Sequence, residues 1–149
     1  MSTTAVLRVS HVAILCAANA RQLVDEYAAE CSIPDAYPQE EKYAALEQSG
    51  ALQCFAAYVD DELIGFASVL SAVMLHNGRR MAALESIFVS RSHRSSGAGN
   101  ALLSAAEQYA AEVECVGLSY LPRIGSALEK VLLRRSDCEP THTMYTRWL

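Results

Sequence analysis

The sequence predicts a mixed α/β (α+β) fold built on one central sheet, and three observations support this fold class. Short β-like segments alternate along the chain with segments of helical periodicity. The pair Asn77-Gly78 lies between two β-like segments and is the strongest hairpin signal in the chain. A strand, a glycine-containing loop and a helix follow one another from Leu84 to Leu103, as in a parallel crossover. We therefore expect a mostly antiparallel sheet that contains a parallel pair.

Composition and charge narrow the class of protein. The chain has 149 residues, of which 52% are apolar, so we expect one domain spanning residues 1–149 with a buried core. The formal net charge of −5 disfavours nucleic acid as a partner. No apolar run approaches the roughly 20 residues of a membrane span, and no signal-like pattern opens the chain, which predicts a cytoplasmic protein without membrane contact. The five cysteines are scattered, which favours free thiols.

The first third of the chain is expected to form one strand and two helices. Ala5–Val9 alternates as a first strand, and the apolar run Val12–Ala18 either extends it or begins a helix. Asn19 is a suitable N-cap for a helix that runs to about Cys31. Pro38 is placed as the first residue of a second helix, which ends at Gly50.

Three antiparallel strands and a crossover are expected next. The strands are Gln53–Val59, Leu63–Met74 and the segment ending at Leu84–Val89. A helix from Asn100 leads to the strand-like segment Cys115–Leu121, which is therefore expected to lie parallel to the Leu84–Val89 strand.

The end of the chain predicts one more helix and one more strand. Ser126–Arg135 has helical spacing, and Thr141–Leu149 alternates as a strand that would close the sheet.

The loop after Val89 is typical of an anion-binding site. Gly97 and Gly99 allow tight turning and close backbone approach, and the helix that follows presents amides without intrahelical acceptors. Arg94 adds positive charge, so the segment favours a phosphate or pyrophosphate. The spacing matches neither a Walker loop nor a dinucleotide fingerprint.

The spacing Arg94-x-x-Gly97-x-Gly99, set between strand and helix, closely resembles the acetyl-CoA signature of the GNAT superfamily of N-acetyltransferases. The order of predicted elements is similar along nearly the whole chain. The resemblance implies helices on both faces of the sheet and two splayed strands, around Ile87–Val89 and Val116–Tyr120, that form a cleft for acetyl-CoA. Backbone groups near Phe88 and Val89 would then hold the pantetheine arm. The pyrophosphate would lie against the loop residues Arg94, Ser95, Ser96, Gly97, Ala98, Gly99 and Asn100.

Two side chains are candidates for the chemistry. Glu85 lies four residues before Val89, so period-two counting places both on one face unless a bulge intervenes, and its carboxylate could take the proton of an acceptor amine. The alternative is that Glu85 pairs with an arginine or caps a segment. Many GNAT members carry a proton-donating tyrosine where this chain has Leu133, so Tyr120 is the substitute candidate acid, with packing as its alternative role.

The resemblance implies an N-acetyltransferase that moves an acetyl group from acetyl-CoA to a primary amine of a small molecule or protein by direct attack on the thioester. The alternative is a catalytically degenerate GNAT-like module that binds CoA or a protein partner without turnover, which the missing tyrosine favours. The four histidines are dispersed without metal-ligand spacing, so no metal is expected. A homodimer is compatible with the sequence, which does not determine the oligomeric state.

Overall fold

A five-stranded sheet with the strand order β1-β2-β3-β4-β5 forms the centre of the fold in this computed structural model, which describes residues 3–31 and 33–149. The strands are β1 (Ala5–Val9), β2 (Leu52–Val59), β3 (Glu62–Val73), β4 (Arg80–Val89) and β5 (Leu118–Ser119). The helices are α1 (His11–Leu15), α2 (Ala20–Glu30), α3 (Glu40–Gln48), α4 (Ala98–Glu112) and α5 (Ala127–Leu133), with a 3₁₀ turn at Arg91–His93. Strands β1 to β4 pair antiparallel and β5 pairs parallel to β4, as predicted.

Helices cover both faces of the sheet because the strands bury side chains on both sides. Phe55 of β2 belongs to the core formed with α4, whereas its neighbour Cys54 belongs to the core formed with α1 and α2. Leu102 is fully buried on the α4 side, and Leu23 is buried on the α2 side. Alternation along β2 therefore divides the interior into two cores and confirms the expected arrangement of helices on both faces.

A β-bulge in β4 changes which face its residues occupy. Ser86 pairs with Ser68 of β3, but the next pair along the ladder joins Leu84 to Val69, so Glu85 has no partner residue in β3. An extra residue of this kind shifts the alternation of every residue on one side of it. The bulge therefore breaks the period-two relation between Glu85 and Val89.

Strands β4 and β5 diverge after a short contact. Their register covers only two residue pairs, Ala82 with Leu118 and Ala83 with Ser119. The strand after α4 is thus much shorter than the predicted Cys115–Leu121, although Val116 still donates its N–H to the Arg80 carbonyl at 2.8 Å. Beyond Ala83 the two strands separate, which leaves one edge of the second half of β4 open to a ligand.

The predicted closing strand Thr141–Leu149 is wrong. This segment has no regular secondary structure, and the side chains of Met144 and Trp148 are 67% and 60% exposed. Its alternation predicted a strand, but a strand needs a partner edge and a face to bury, and the segment has neither in this structure.

The helices before β2 differ in part from the prediction. The second predicted helix begins at Glu40 and ends at Gln48, so Pro38 precedes it and is not its first residue. The run Val12–Ala18 does not extend β1, because Ser10 caps the short helix α1 by accepting a hydrogen bond from the N–H of Ala13. Asn19 precedes α2 as predicted, but its side chain donates to the Leu63 carbonyl at 2.7 Å instead of capping the helix.

None of the helices in the described ranges is both long and apolar enough to cross a lipid bilayer. All five cysteines are free thiols, and Cys54 is the buried one.

We predict that Gly65→Ala destabilises the fold. An added Cβ would lie 2.7 Å from the Phe88 carbonyl oxygen and 3.2 Å from a methyl group of Val89, so β3 and β4 would have to shift apart. The expected loss is about 1–3 kcal/mol of unfolding free energy, measured by urea denaturation.

Gly99→Ala is the matched control, because its added Cβ meets no heavy atom within 4 Å. Equal stability of the two variants would contradict the close packing between β3 and β4 at Gly65.

Candidate functional site

The N-terminus of α4 forms a small cradle of backbone amides. Gly97 is the N-cap, with a φ of +83° that favours glycine, and its carbonyl accepts the N–H of Ala101 at 3.1 Å. The N–H of Ala98 contacts the hydroxyl of Ser96 at 3.3 Å. Within the described residues, the N–H groups of Gly99 and Asn100 have no hydrogen-bond acceptor. Because the helix dipole adds positive potential here, the cradle is suited to an anion.

The space in front of the cradle is open. An added Cβ at Gly97 or Gly99 would meet no heavy atom within 4 Å. Gly97 is needed for its backbone conformation, whereas no positive φ requires glycine at position 99. The missing side chain at Gly99 therefore matters for what can approach from outside, and the cradle fits a pyrophosphate on this observation.

Arg94 joins the cradle to β4 and α2. Its Nε donates to the Val89 carbonyl at 3.1 Å, a terminal nitrogen contacts Glu30 at 2.6 Å, and its guanidinium lies 5.4 Å from the Phe88 ring centre. Arg91 contacts the other Glu30 oxygen at 2.6 Å. Partial burial would raise the pKa of Glu30, but hydrogen bonds from Arg91 and Arg94 outweigh it and hold the pKa below its usual range. Arg94 is thus already paired with a carboxylate of the protein itself, that of Glu30.

At the open edge of β4, the backbone groups that face the gap are those of Val89 and not those of Phe88. Ser90 donates its N–H to the Ile64 carbonyl at 2.8 Å, so the backbone of Ser90 faces β3. By alternation, Phe88 also directs its backbone towards β3, while Val89 faces the gap beside β5. Val89 therefore presents its backbone to the gap, and Phe88 contributes its ring to the core beside α2. That backbone groups near these two residues hold a pantetheine arm stays a prediction.

Glu85 is exposed and held by hydroxyl groups. Its Oε2 accepts hydrogen bonds from Ser68 Oγ at 2.5 Å and from the Tyr43 hydroxyl at 3.4 Å. Tyr43 comes from α3, so Glu85 lies on the face of the sheet that α1, α2 and α3 cover. Val89 belongs to the core on the other face. The expectation that Glu85 and Val89 share a face is wrong, because the bulge at Glu85 intervenes.

Tyr120 is not brought together with Glu85. Its hydroxyl donates to Glu107 of α4, and Glu107 also contacts Arg135 at 2.5 Å. Burial, followed by the hydrogen bond and the charge of Glu107, raises the pKa of Tyr120. The tyrosine packs against the core on the α4 side of the sheet, the face opposite Glu85. Its proton is therefore already engaged in a contact between α4 and the residue that follows β5.

His11 is a member of this region that sequence reasoning did not single out. Its side chain is only 7% exposed, its ring stacks on Tyr43 with centroids 3.8 Å apart, and its Nδ1 is buried without a hydrogen-bond partner in the described chain. Its backbone N–H donates to Glu47 at 2.7 Å. Burial lowers the pKa of His11, although the charges of Glu47, Glu40 and Glu85 oppose this. Nothing in the spacing of the four histidines indicated this stacking.

Strand β4 parts from its parallel neighbour β5 beside the glycine-containing N-terminus of α4, which is the arrangement that the resemblance to acetyltransferases implied. The chain belongs to the acetyltransferase (GNAT) family, whose family model matches residues 20–127. That range contains the cradle and both β4 and β5. The protein is therefore an acyltransferase enzyme, as the resemblance implied. Among curated proteins, none matches the sequence significantly.

Solved structures support the fold. The ribosomal-protein-alanine N-acetyltransferase from Brucella melitensis biovar Abortus 2308 is 20% identical with a TM-score of 0.74, covering 98% of this chain and 99% of that one. The aminoglycoside acetyltransferase meta-AAC0020 from an uncultured soil metagenomic sample, in complex with sisomicin, is 15% identical with a TM-score of 0.75, covering 98% and 96%. AAC(6')-Iy in complex with the bisubstrate analogue CoA-S-monomethyl-acetylneamine is 19% identical with a TM-score of 0.74, covering 99% of each chain. At these identities the likeness concerns the fold.

We predict that His11 makes stability depend on pH. Because the pKa of His11 in the folded chain lies below the ordinary 6.5, the unfolded chain binds the proton more readily. Its contribution to stability is therefore complete above that value and is lost as pH falls through it. His11→Phe keeps the stacking on Tyr43, so its melting temperature should fall less than that of the wild type between about pH 7.5 and about pH 5.5.

The exposed His76 supplies the control, since His76→Gln should leave the pH dependence of melting unchanged. The same fall in the His11→Phe variant as in the wild type would refute the assignment.

Proposed function

We propose that this protein is an N-acetyltransferase that transfers the acetyl group of acetyl-CoA to a primary amine by direct attack of the amine on the thioester. The observation that carries the proposal is the gap between β4 and β5, which leads to the open amide cradle at Gly97–Asn100. Among the residues that the structure describes, no heavy atom lies within 4 Å of a Cβ added at Gly99.

The cradle is proposed to bind the pyrophosphate of CoA. The amides of Ser95 to Asn100 would contact its oxygens, with the guanidinium of Arg94 alongside. Arg94 would then be shared between the phosphate and Glu30, because Glu30 already contacts it at 2.6 Å. The open backbone edge at Val89 would hold the pantetheine arm. When bound, acetyl-CoA supplies an activated acyl group, and the protein supplies its binding and orientation.

Glu85 is proposed as the general base. An amine is largely protonated at neutral pH, and its nitrogen can attack a carbonyl carbon only after a proton is removed. The carboxylate of Glu85 is exposed and could accept that proton directly or through a water molecule. The new bond joins nitrogen to the acetyl carbon, and the carbon–sulfur bond breaks. Because the hydroxyl of Tyr120 is already donated to Glu107, we assign protonation of the departing thiolate to solvent and not to Tyr120.

The acceptor is proposed to be a cationic amine of a small molecule or a protein. Glu40, Glu47 and Glu85 all act electrostatically on His11, so negative charge gathers on the side of α3 and β4 where Glu85 is exposed. This charge suits an ammonium group before it is deprotonated. Two of the similar structures are named for acceptors of these two kinds, an aminoglycoside and a ribosomal protein. The cytoplasmic location and the homodimer remain predictions from the sequence.

The second candidate function is a GNAT-like module that binds CoA or a protein partner without turnover. The observation that favours it is the absence of a tyrosine at Leu133, whose side chain is exposed, together with the engagement of Tyr120 by Glu107. Measuring thiol release from acetyl-CoA with a panel of amines, beside CoA binding by calorimetry, separates the two. Binding without turnover on any acceptor would favour the module.

We predict that Gly99→Val cuts CoA affinity severely while the protein stays folded. The added side chain meets no protein atom at its Cβ, so it would act mainly by occupying the space that the pyrophosphate needs. Calorimetric titration with CoA measures the effect.

The control is Ser104→Val, which introduces the same β-branched residue at an exposed position of α4. Unchanged CoA affinity in folded Gly99→Val would remove the cradle from the CoA site.

We predict that Glu85→Gln lowers turnover by about 10²–10⁴-fold and leaves CoA affinity nearly unchanged. The amide cannot accept the acceptor's proton, and Glu85 lies on the opposite face of the sheet from the core that contains Val89. Steady-state rates with a true acceptor, beside CoA titration, measure this. Turnover like that of the wild type would exclude Glu85 as the base.

A further inference from the structure

The structure holds a chain of three side chains that ends on Glu85. Ser86 Oγ lies 2.6 Å from Ser68 Oγ, and Ser68 Oγ lies 2.5 Å from Glu85 Oε2. The two serines are buried, while Glu85 is exposed. We propose that Ser68 is a positioning residue for the acetyl-transfer reaction, holding one oxygen of the Glu85 carboxylate so that the other faces the acceptor. This inference rests on the proposed role of Glu85 as the base.

The direction of the two hydrogen bonds that join these three side chains follows from counting their protons. An ionised carboxylate can only accept hydrogen bonds, so Ser68 must direct its single hydroxyl proton at Glu85. The oxygen of Ser68 can then only accept from Ser86, which makes Ser86 the donor in the serine pair. The chain therefore runs Ser86 to Ser68 to Glu85, and each donor is polarised by the next acceptor.

The β-bulge makes this chain possible. In a regular strand, Glu85 and Ser86 would point to opposite faces of the sheet. The bulge adds Glu85 to the ladder between Leu84 and Ser86. Because of this extra residue, Glu85 and Ser86 both present their side chains beside Ser68 of β3. Bulges commonly re-aim side chains near active sites, and this one places a carboxylate and its supporting hydroxyls together.

Tyr43 supplies a second donor to the same oxygen. Its hydroxyl reaches Glu85 Oε2 at 3.4 Å from α3. Burial, with the charge of Glu85, raises the pKa of Tyr43, so the phenol keeps its proton and remains a donor. Both donors converge on Oε2 and none of the described side chains hydrogen-bonds to Oε1. The carboxylate thus has one held oxygen and one that is available to the acceptor.

The hydrogen bond from Ser68 fixes the orientation of the Glu85 carboxylate, and proton transfer from the acceptor requires the base in the right geometry. Loss of Ser68 should therefore lower turnover and leave CoA affinity unchanged. The effect should require Glu85, because Ser68 acts on the reaction through that carboxylate.

The test compares the kcat of Ser68→Ala with that of the wild type, using a true acceptor. We expect kcat to fall by about tenfold with CoA affinity unchanged, since a hydrogen bond to a charged group is worth about a factor of this size. In the Glu85→Gln background, Ser68→Ala should have no further effect.

Ser71→Ala is the matched control. Ser71 is buried on the same strand and its hydroxyl accepts a hydrogen bond from Arg80 at 3.0 Å, so its loss removes a similar contact away from Glu85. Tyr43→Phe keeps the stacking on His11 and removes the second donor without altering β3. It should therefore lower kcat by a smaller factor, and only where Glu85 is present, which tests the role even if Ser68→Ala folds poorly.

Two failures can be told apart. If Glu85→Gln turns over like the wild type, the proposed base is wrong and Ser68 loses its role with it. If Glu85→Gln is impaired but folded Ser68→Ala and Tyr43→Phe turn over like the wild type, or lose the same factor in the Glu85→Gln background as alone, the base stands and the positioning role is overturned. An equal loss in Ser71→Ala and Ser68→Ala would also overturn it, because that result indicates general damage to β3.

Discussion

The pairing of β4 is the constraint on which the rest of this structure depends. On one edge β4 pairs with β3 from Arg80 to Val89, and on the other it pairs with β5 only at Ala82 and Ala83. The ladder with β3 runs the length of β4 apart from the bulge at Glu85, while the short ladder with β5 leaves an open edge beyond Ala83. Gly65 allows the close approach of β3 to Phe88 and Val89, at the far end of that open edge. A strand that is hydrogen-bonded along one edge and unpaired along the other can offer backbone groups to a ligand while it stays part of the sheet.

The two sides of the proposed reaction are linked by charge. Glu30 at the end of α2 contacts both Arg91 and Arg94, and its carbonyl accepts a hydrogen bond from Arg123 at 2.7 Å. Helix α2 covers the sheet on the side of Glu85, whereas the two arginines precede the cradle. Glu30 therefore connects the helix over the proposed acceptor side to the loop over the proposed CoA side. These pairs are partly exposed, so their role is to set orientation more than to add stability.

The side of the sheet under α1 and α3 combines an exposed carboxylate with buried polar groups. Ser68 and Ser86 form a directed pair, while the buried Nδ1 of His11 has no hydrogen-bond partner among the described residues. Buried polar groups of this kind reduce stability unless they are satisfied, so their presence beside Glu85 is consistent with a functional region. The core on the opposite side, packed against α4, is built from apolar side chains such as Leu102 and Ala106. The groups proposed to move or hold the acceptor's proton therefore lie on one face of the sheet.

The sequence by itself determined the antiparallel β2–β3–β4 unit, the parallel crossover and the glycine loop. These depend on local signals: Asn77-Gly78 for the hairpin, apolar periodicity for α4, and the glycines at 97 and 99 for the loop. The tertiary structure alone decided the face of Glu85, because a bulge is a property of pairing between strands and leaves no local pattern. It also brought Ser68 and Tyr43 to Glu85 across 17 and 42 residues of sequence. The segment Thr141–Leu149 also shows that a local pattern is not sufficient. Its residues alternate, but a strand forms only where the edge of another strand is available for pairing.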